Sequence, residues 1–261
     1  MTHFIASILR ATLCAVFAIA LSGVPLRAES NEETAATVVE AAELDDRSLE
    51  SQLLAGSRRS VEKVIVETDE PTMLTDLPLW VCYVRDLEHL GIKENQINQL
   101  PDCLKNHAGT LRILEIEKNE IDNLGPLSTI LPNLEMLELT DVRLNDGFTF
   151  AYSPTIEFLT IDGAEFAATS PLNIHNNPRL ETLKIENSVV QGLDRNIGFL
   201  GNLPNLTTLS LRGNNLTLEP AGLAFLPKLR TLDAGGNNFS AITRDRITST
   251  LLASPTVVVS F

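Results

Sequence analysis

The segment Leu87–Ile97, LEHLGIKENQI, is followed by Leu111–Ile121, LRILEIEKNEI, and the two share one frame. Aliphatic residues hold the first, fourth, sixth and last positions: Leu87, Leu90, Ile92 and Ile97, then Leu111, Leu114, Ile116 and Ile121. Asn95 and Asn119 take the same slot after the third aliphatic. Working outward, the frame returns at Leu134-Leu137-Leu139, Ile156-Leu159-Ile161 and Leu180-Leu183-Ile185. It continues at Leu206-Leu209-Leu211-Asn214-Leu216 and Leu229-Leu232-Ala234-Asn237-Phe239. Val61-Val64-Val66 fills the first three slots upstream, with Asp69 at the Asn position, and Leu252-Pro255-Val257 fills them downstream. The nine starts are spaced 22 to 26 residues apart, a period that chance does not sustain.

A period of this length describes a repeating supersecondary unit that cannot bury its own apolar side, so the core exists only as a stack. Within each unit the x-L-x-L segment alternates faces, as a short strand does, and points its aliphatics inward. The Asn then turns the chain, its amide serving backbone groups that a tight turn leaves unpaired. From Val61 to Phe261 the pattern resembles the leucine-rich repeat family. The resemblance implies an α/β solenoid: a curved coil with a parallel β-sheet on its concave face and short helical or irregular convex segments. On this reading residues 61–261 form eight repeats and a truncated ninth. Convex stretches such as Gly125-Pro126-Leu127 and Asn202-Leu203-Pro204 predict short helical turns limited by proline. The middle departs from the frame. Val142, Ala164 and Ser188 stand where Asn belongs, and none is expected to supply both donor and acceptor, which predicts looser, irregular turns in three central coils. The last strand, Thr256–Ser260, is expected to leave an open edge suited to pairing with a second copy.

In such solenoids the concave face is built from the residues between the aliphatics. Ile113, Met136 and Phe158 occupy one slot in three consecutive coils and predict an apolar stripe. Glu115, Glu117, Glu138, Asp141 and Asp162 run beside it as an acidic lane. An apolar centre rimmed with charge is a common construction for a protein-binding patch. The expected partner is therefore a protein with a basic or amphipathic surface.

The N-terminal stretches have other compositions. Ala11–Val24 is an uncharged apolar run after Arg10, too short to span a bilayer, and is followed by Pro25 and small residues. This predicts a secretory signal peptide over 1–28, a secreted, extracellular product, and no stable membrane insertion once it is cleaved. Residues 29–60 hold eight acids against three arginines and no aromatic, and read as a disordered acidic arm with some helical tendency. Within it, Arg47-Ser48-Leu49-Glu50 is loosely similar to the RxLR host-targeting motif of oomycete effectors, without its final Arg. Cys82 and Cys103 lie one repeat length apart, which leaves open a disulfide between neighbouring coils or two buried thiols.

Charge and motifs then narrow the function. A formal net charge of −14 excludes a basic face for a phosphate backbone, so no nucleic acid partner is expected. His89, His107 and His175 fall in separate coils without metal-ligand spacing, and no nucleophile elbow, phosphate loop or dinucleotide fingerprint occurs. Cofactor, metal and catalysis are not expected; at most, Glu115 and Glu138 on adjacent strands would raise each other's pKa. Three Asn-x-Ser/Thr sequons, at Asn205, Asn215 and Asn238, are candidate glycosylation sites in a eukaryotic secretory pathway. The sequence thus points to a secreted, non-catalytic protein-binding module. Two alternatives are a pathogen effector entering host cells through the 29–60 arm and a self-associating structural matrix or envelope component.

Overall fold

The computed structural model describes residues 36–40, 63–67, 73–122, 124–145, 148–166, 172–188, 200, 202–220, 222–251 and 257–261. The 1–28 leader, the Arg47–Glu50 motif and most of the 29–60 arm lie outside these residues.

Each coil contributes one strand to a single ten-stranded parallel sheet. In chain order these strands are β1 (Ala36–Glu40), β2 (Lys63–Glu67), β3 (His89–Lys93), β4 (Ile113–Glu117) and β6 (Met136–Thr140). They continue with β9 (Phe158–Asp162), β12 (Thr182–Glu186), β13 (Thr208–Ser210), β14 (Thr231–Asp233) and β15 (Val258–Ser260). The strands follow one another across the sheet in sequence order, as a coil that advances one strand per turn must arrange them. The frame residues are the reason. Leu90 and Ile92, Leu114 and Ile116, Leu137 and Leu139, and Leu159 and Ile161 are all inaccessible, stacked on their counterparts in the coils before and after. Truncating any one of them to Ala should cost about 2–5 kcal/mol, because a stacked core cannot collapse around the gap.

The turn after each strand is held by two repeated devices. The residue just before the Asn slot is left-handed in seven successive coils: Glu94, Lys118, Asp141, Gly163, Asn187, Gly213 and Gly236 all have φ between 47° and 69°. At Gly163 the left-handed φ coincides with crowding, since a Cβ there would lie 2.1 Å from Asp141 Oδ1. The Asn slot itself then joins adjacent coils. Asn119 Nδ2 donates to Ile92 O at 3.1 Å in the preceding coil and to Glu117 O at 2.7 Å in its own, while its Oδ1 accepts from Ile97 N–H at 3.2 Å. Asn95, Asn214 and Asn237 repeat the arrangement.

The central coils correct the sequence reading. Ser188 does supply both functions: its Oγ donates to Glu186 O at 2.6 Å and accepts from Ala164 N–H at 3.2 Å. Val142 and Ala164 bury fully in the same slot. Instead of loosening, the chain beyond them pairs as a second parallel sheet of β5 (Glu120–Ile121), β7 (Arg143–Leu144) and β10 (Glu165–Phe166). Backbone bonding between coils thus takes over where the amide is missing. A further pair, β8 (Phe148–Thr149) and β11 (Leu172–Asn173), lies beyond it.

Three other elements depart from or extend the expectation. Ala36–Glu40, placed in a disordered arm by composition, is a strand that adds to β2 in parallel register, Ala36 opposite Lys63 and Glu40 opposite Glu67. On the convex side, Pro126 leads into α1 (Leu127–Ile130), as the sequence predicted. A helix that the frame did not predict, α2 (Ala241–Leu251), buries only Ile247 and Leu251, too sparse a stripe to read as amphipathic. Among the described residues no helix is long and apolar enough to cross a membrane.

Cys82 and Cys103 sit on one-turn helical segments of successive coils, Leu79–Tyr83 and Asp102–His107, with Cα atoms 5.5 Å apart and sulfurs within bonding distance. Two polar contacts accompany the bridge: His107 Nε2 lies 2.8 Å from Val81 O, and Asn106 Nδ2 donates to Cys82 O. Burial holds the His107 imidazole below its usual pKa, partly offset by the Val81 carbonyl, which raises it.

Candidate functional site

The outward residues of the long sheet fall into three rows, fixed by strand register. The first runs Lys63, His89, Ile113, Met136, Phe158, Thr182, Thr208 and Thr231. The second runs Ile65, Gly91, Glu115, Glu138, Thr160, Lys184, Ser210 and Asp233. The third begins with Glu67, Lys93, Glu117, Thr140, Asp162 and Glu186.

Ile113, Met136 and Phe158 are therefore direct cross-strand neighbours. Parallel strands lie about 4.8 Å apart, so the three side chains make a continuous stripe roughly 10 Å long. Ile113 and Met136 are half-buried by their neighbours, and Phe158 is 39% exposed, an aromatic ring left open on a sheet face. Strand β1 extends the sheet beyond β2, so residues 36–40 are not laid across the stripe.

The acids do not form one uniform lane. Glu115 is claimed by the strand before it: His89 Nε2 stands 3.0 Å from Glu115 Oε1 and Lys93 Nζ stands 3.6 Å from Oε2. A side-chain hydrogen bond from His89 is the main influence holding the Glu115 carboxyl below its ordinary pKa; burial opposes it, and the charges of His89, Lys93 and Lys63 assist. The expectation that Glu115 and Glu138 would raise one another is thereby overturned for Glu115, which is lowered chiefly by its His89 hydrogen bond. Glu117 is paired as well, with Lys93 at 3.6 Å and Lys118 at 3.9 Å. Lys118 also pairs with Glu94.

Glu138, Asp141 and Asp162 differ. Among the described residues none has a cation within ion-pair distance. Asp162 Oδ1 accepts from the neutral Asn187 amide at 2.9 Å, and Asp141 Oδ1 is seated over Gly163. One further shaping feature escaped the sequence reading. Gly91 leaves space that Ile65 fills: a Cβ at Gly91 would lie 2.4 Å from Ile65 Cδ1. The Ile65 side chain is buried there even though it projects from the outward face.

The remaining candidates are dispersed. Asn215 and Asn238 are exposed in equivalent slots of successive coils, whereas the Asn205 amide is engaged, donating to Pro178 O and accepting from Lys228 Nζ. His89, His107 and His175 remain in separate coils, and among the described residues no group of three His, Cys, Asp or Glu side chains is placed to hold a metal.

Residues 204–244 match the family described as Leucine Rich repeats (2 copies). Toll-like receptor 9 of Canis lupus familiaris is 28% identical over 171 residues, covering 57% of this chain and 14% of the receptor, so the chain spans only a small part of that relative. Among solved structures, a Leptospira interrogans LRR protein is similar with a TM-score of 0.44 and 20% identity, over 77% of this chain and 44% of that one. A chain from the octameric complex of Latrophilin 3, Unc5D and FLRT2 gives a TM-score of 0.43 and 17% identity, over 92% of this chain and 86% of that one. Residues 204–244 thus match leucine-rich repeats, and the same frame, registered strand by strand, gives the described residues the parallel-sheet solenoid fold that such repeats build.

Proposed function

We propose that the protein is a secreted, non-catalytic binding module that takes a protein partner on its concave strand face, with Ile113, Met136 and Phe158 as the apolar anchor. The observation that carries this reading is the direct register of those three side chains, which concentrates exposed apolar surface at one place on an otherwise polar sheet face. The acids beside them supply a charged rim, the arrangement that interfaces commonly use around a desolvated centre. Leucine-rich repeats usually bind rather than catalyse, and the site needs no cofactor. Secretion rests on the 1–28 leader and is consistent with an inter-coil bridge at Cys82–Cys103. Of the sequons, Asn215 and Asn238 are the better acceptors, because the Asn205 amide is already occupied.

The test is a pull-down from extracellular extract. The purified chain serves as bait beside a variant carrying Ile113→Ser, Met136→Ser and Phe158→Ser. A protein retained by the first and lost by the second supports the face as the docking site. Identical catches would reject it. A second reading, self-association, is favoured by one observation: Val258 on β15 is 68% exposed. A monomer at every concentration in sedimentation would dismiss that alternative.

A further inference from the structure

The partner's charge can be inferred by following which acids the fold has already neutralised. On β3, β4 and the turn after β4, cations and anions alternate in contact. His89 and Lys93 hold Glu115, Lys93 and Lys118 share Glu117, and Lys118 also holds Glu94. That part of the face is internally compensated, and a partner charge placed there would have to break an existing pair. On β6 and β9 the compensation stops. Glu138 lies in the second row, beside Met136 on its own strand and next to Thr160 across the sheet. The next cation along that row is Lys184, two strands away and thus about 10 Å distant. Asp141 and Asp162 stand at the far end of the same strands; among the described residues neither has a cation in contact, although Asp141 lies within electrostatic reach of Lys118. At Glu138 the uncompensated negative charge therefore sits directly beside the apolar stripe.

We infer that the partner inserts a lysine or arginine over Glu138, flanked by apolar side chains that cover Met136 and Phe158. This rests on the docking reading above and adds to it the chemistry of the segment that docks. Covering Phe158 removes water from around Glu138. An uncompensated carboxylate losing its hydration is costly, and a cation delivered by the same segment offsets that cost. A neutral or acidic segment of equal apolarity would bury Glu138 unpaired and bind more weakly. Glu115 offers no such demand, because its own strand neighbours already meet it.

Selection from a display library of short random peptides tests this, using the immobilised full chain at physiological salt. The targets are the unchanged chain, Glu138→Lys, and the triple Ser variant at positions 113, 136 and 158. Thermal melts by circular dichroism confirm that each variant is folded. The expected result is enrichment, on the unchanged chain, of peptides in which Lys or Arg is bracketed by apolar residues. Those peptides should lose at least about tenfold in affinity, some 1.4 kcal/mol, on Glu138→Lys, and that variant should instead enrich acidic peptides. Enriched peptides without a basic residue, or equal binding to Glu138→Lys, overturn the inference. If such peptides are still lost on the triple Ser variant, the docking face survives and only its charge assignment fails. Peptides that bind the triple Ser variant unchanged, or no enrichment at all, reject both.

Discussion

Replacement of Asn119 by alanine isolates what the turn amide contributes to coil stacking. Asn119 is 4% exposed and makes three hydrogen bonds, two to carbonyls on either side of a coil boundary and one from Ile97 N–H. Each is worth about 1 kcal/mol net, and leaving buried partners unpaired raises the toll, so Asn119→Ala should cost roughly 3 kcal/mol. The structure also supplies a graded control. Ser188 occupies the same slot and retains one donated and one accepted bond, but it does not donate to the preceding strand's carbonyl as Asn119 does to Ile92. Asn119→Ser should therefore lose about one bond, on the order of 1 kcal/mol, and rank between the native chain and alanine. Urea unfolding is the assay. The single tryptophan, Trp80, is buried two coils before Asn119 and reports on that end of the stack, while circular dichroism reports the whole sheet. Coincidence of the two transitions checks that one free energy describes the change. Alanine within about 0.5 kcal/mol of the native chain, or serine no better than alanine, would refute the reasoning, because solvent or backbone shifts would then be replacing the amide.

Three further predictions probe other parts of the coil. Gly163→Ala adds a Cβ at a left-handed φ and against Asp141 Oδ1, so it should lower stability by at least about 1 kcal/mol in the same titration; a neutral result would mean that Asp141 swings away freely. His107 has a lowered pKa in the folded chain, so the unfolded chain takes up its proton first as pH falls below about 6.5, and stability declines from there towards the folded pKa. His107→Gln should flatten that part of the stability–pH profile, and an unchanged slope would place the titration elsewhere. Cys103→Ser opens a bridge spanning 21 residues, which loop entropy values at about 3 kcal/mol, and peptide mapping without reductant should recover Cys82 and Cys103 in one linked fragment.

The fold was legible because its signal is redundant. Most coils repeat the same aliphatic triplet; the last was misread, because the register sets Val259 rather than Pro255 opposite Leu232. Ile113, Met136 and Phe158 could be aligned for the same reason: constant slots in consecutive units become one row. What stayed hidden depends on distances between coils. Lys93 and Glu115 lie one coil apart in sequence, outside any local motif, and only register shows that one cation serves two acids. Ser188 was undervalued because donor and acceptor capacity belongs to a hydroxyl as well as to an amide once its partners come within reach. Gly91 gave no sign of its role, since its meaning lies in the Ile65 side chain that fills its space. Helix α2 was missed because two buried residues in eleven leave no periodicity to detect.

The left-handed residue that precedes each turn slot also governs how the chain can change in length. From β3 to β14 the distance from strand to left-handed residue to slot hardly varies, while the coils themselves differ by several residues. Growth and shrinkage are thus confined to the far side of each coil, where a residue added or lost shifts nothing in the strand register. A single insertion between Leu90 and Asn95 would instead rotate Glu94 out of its conformation and carry the amide away from its carbonyls. Whole coils, by contrast, enter or leave as interchangeable parts. The molecule is editable in units of one turn and nearly intolerant of anything smaller on its strand side.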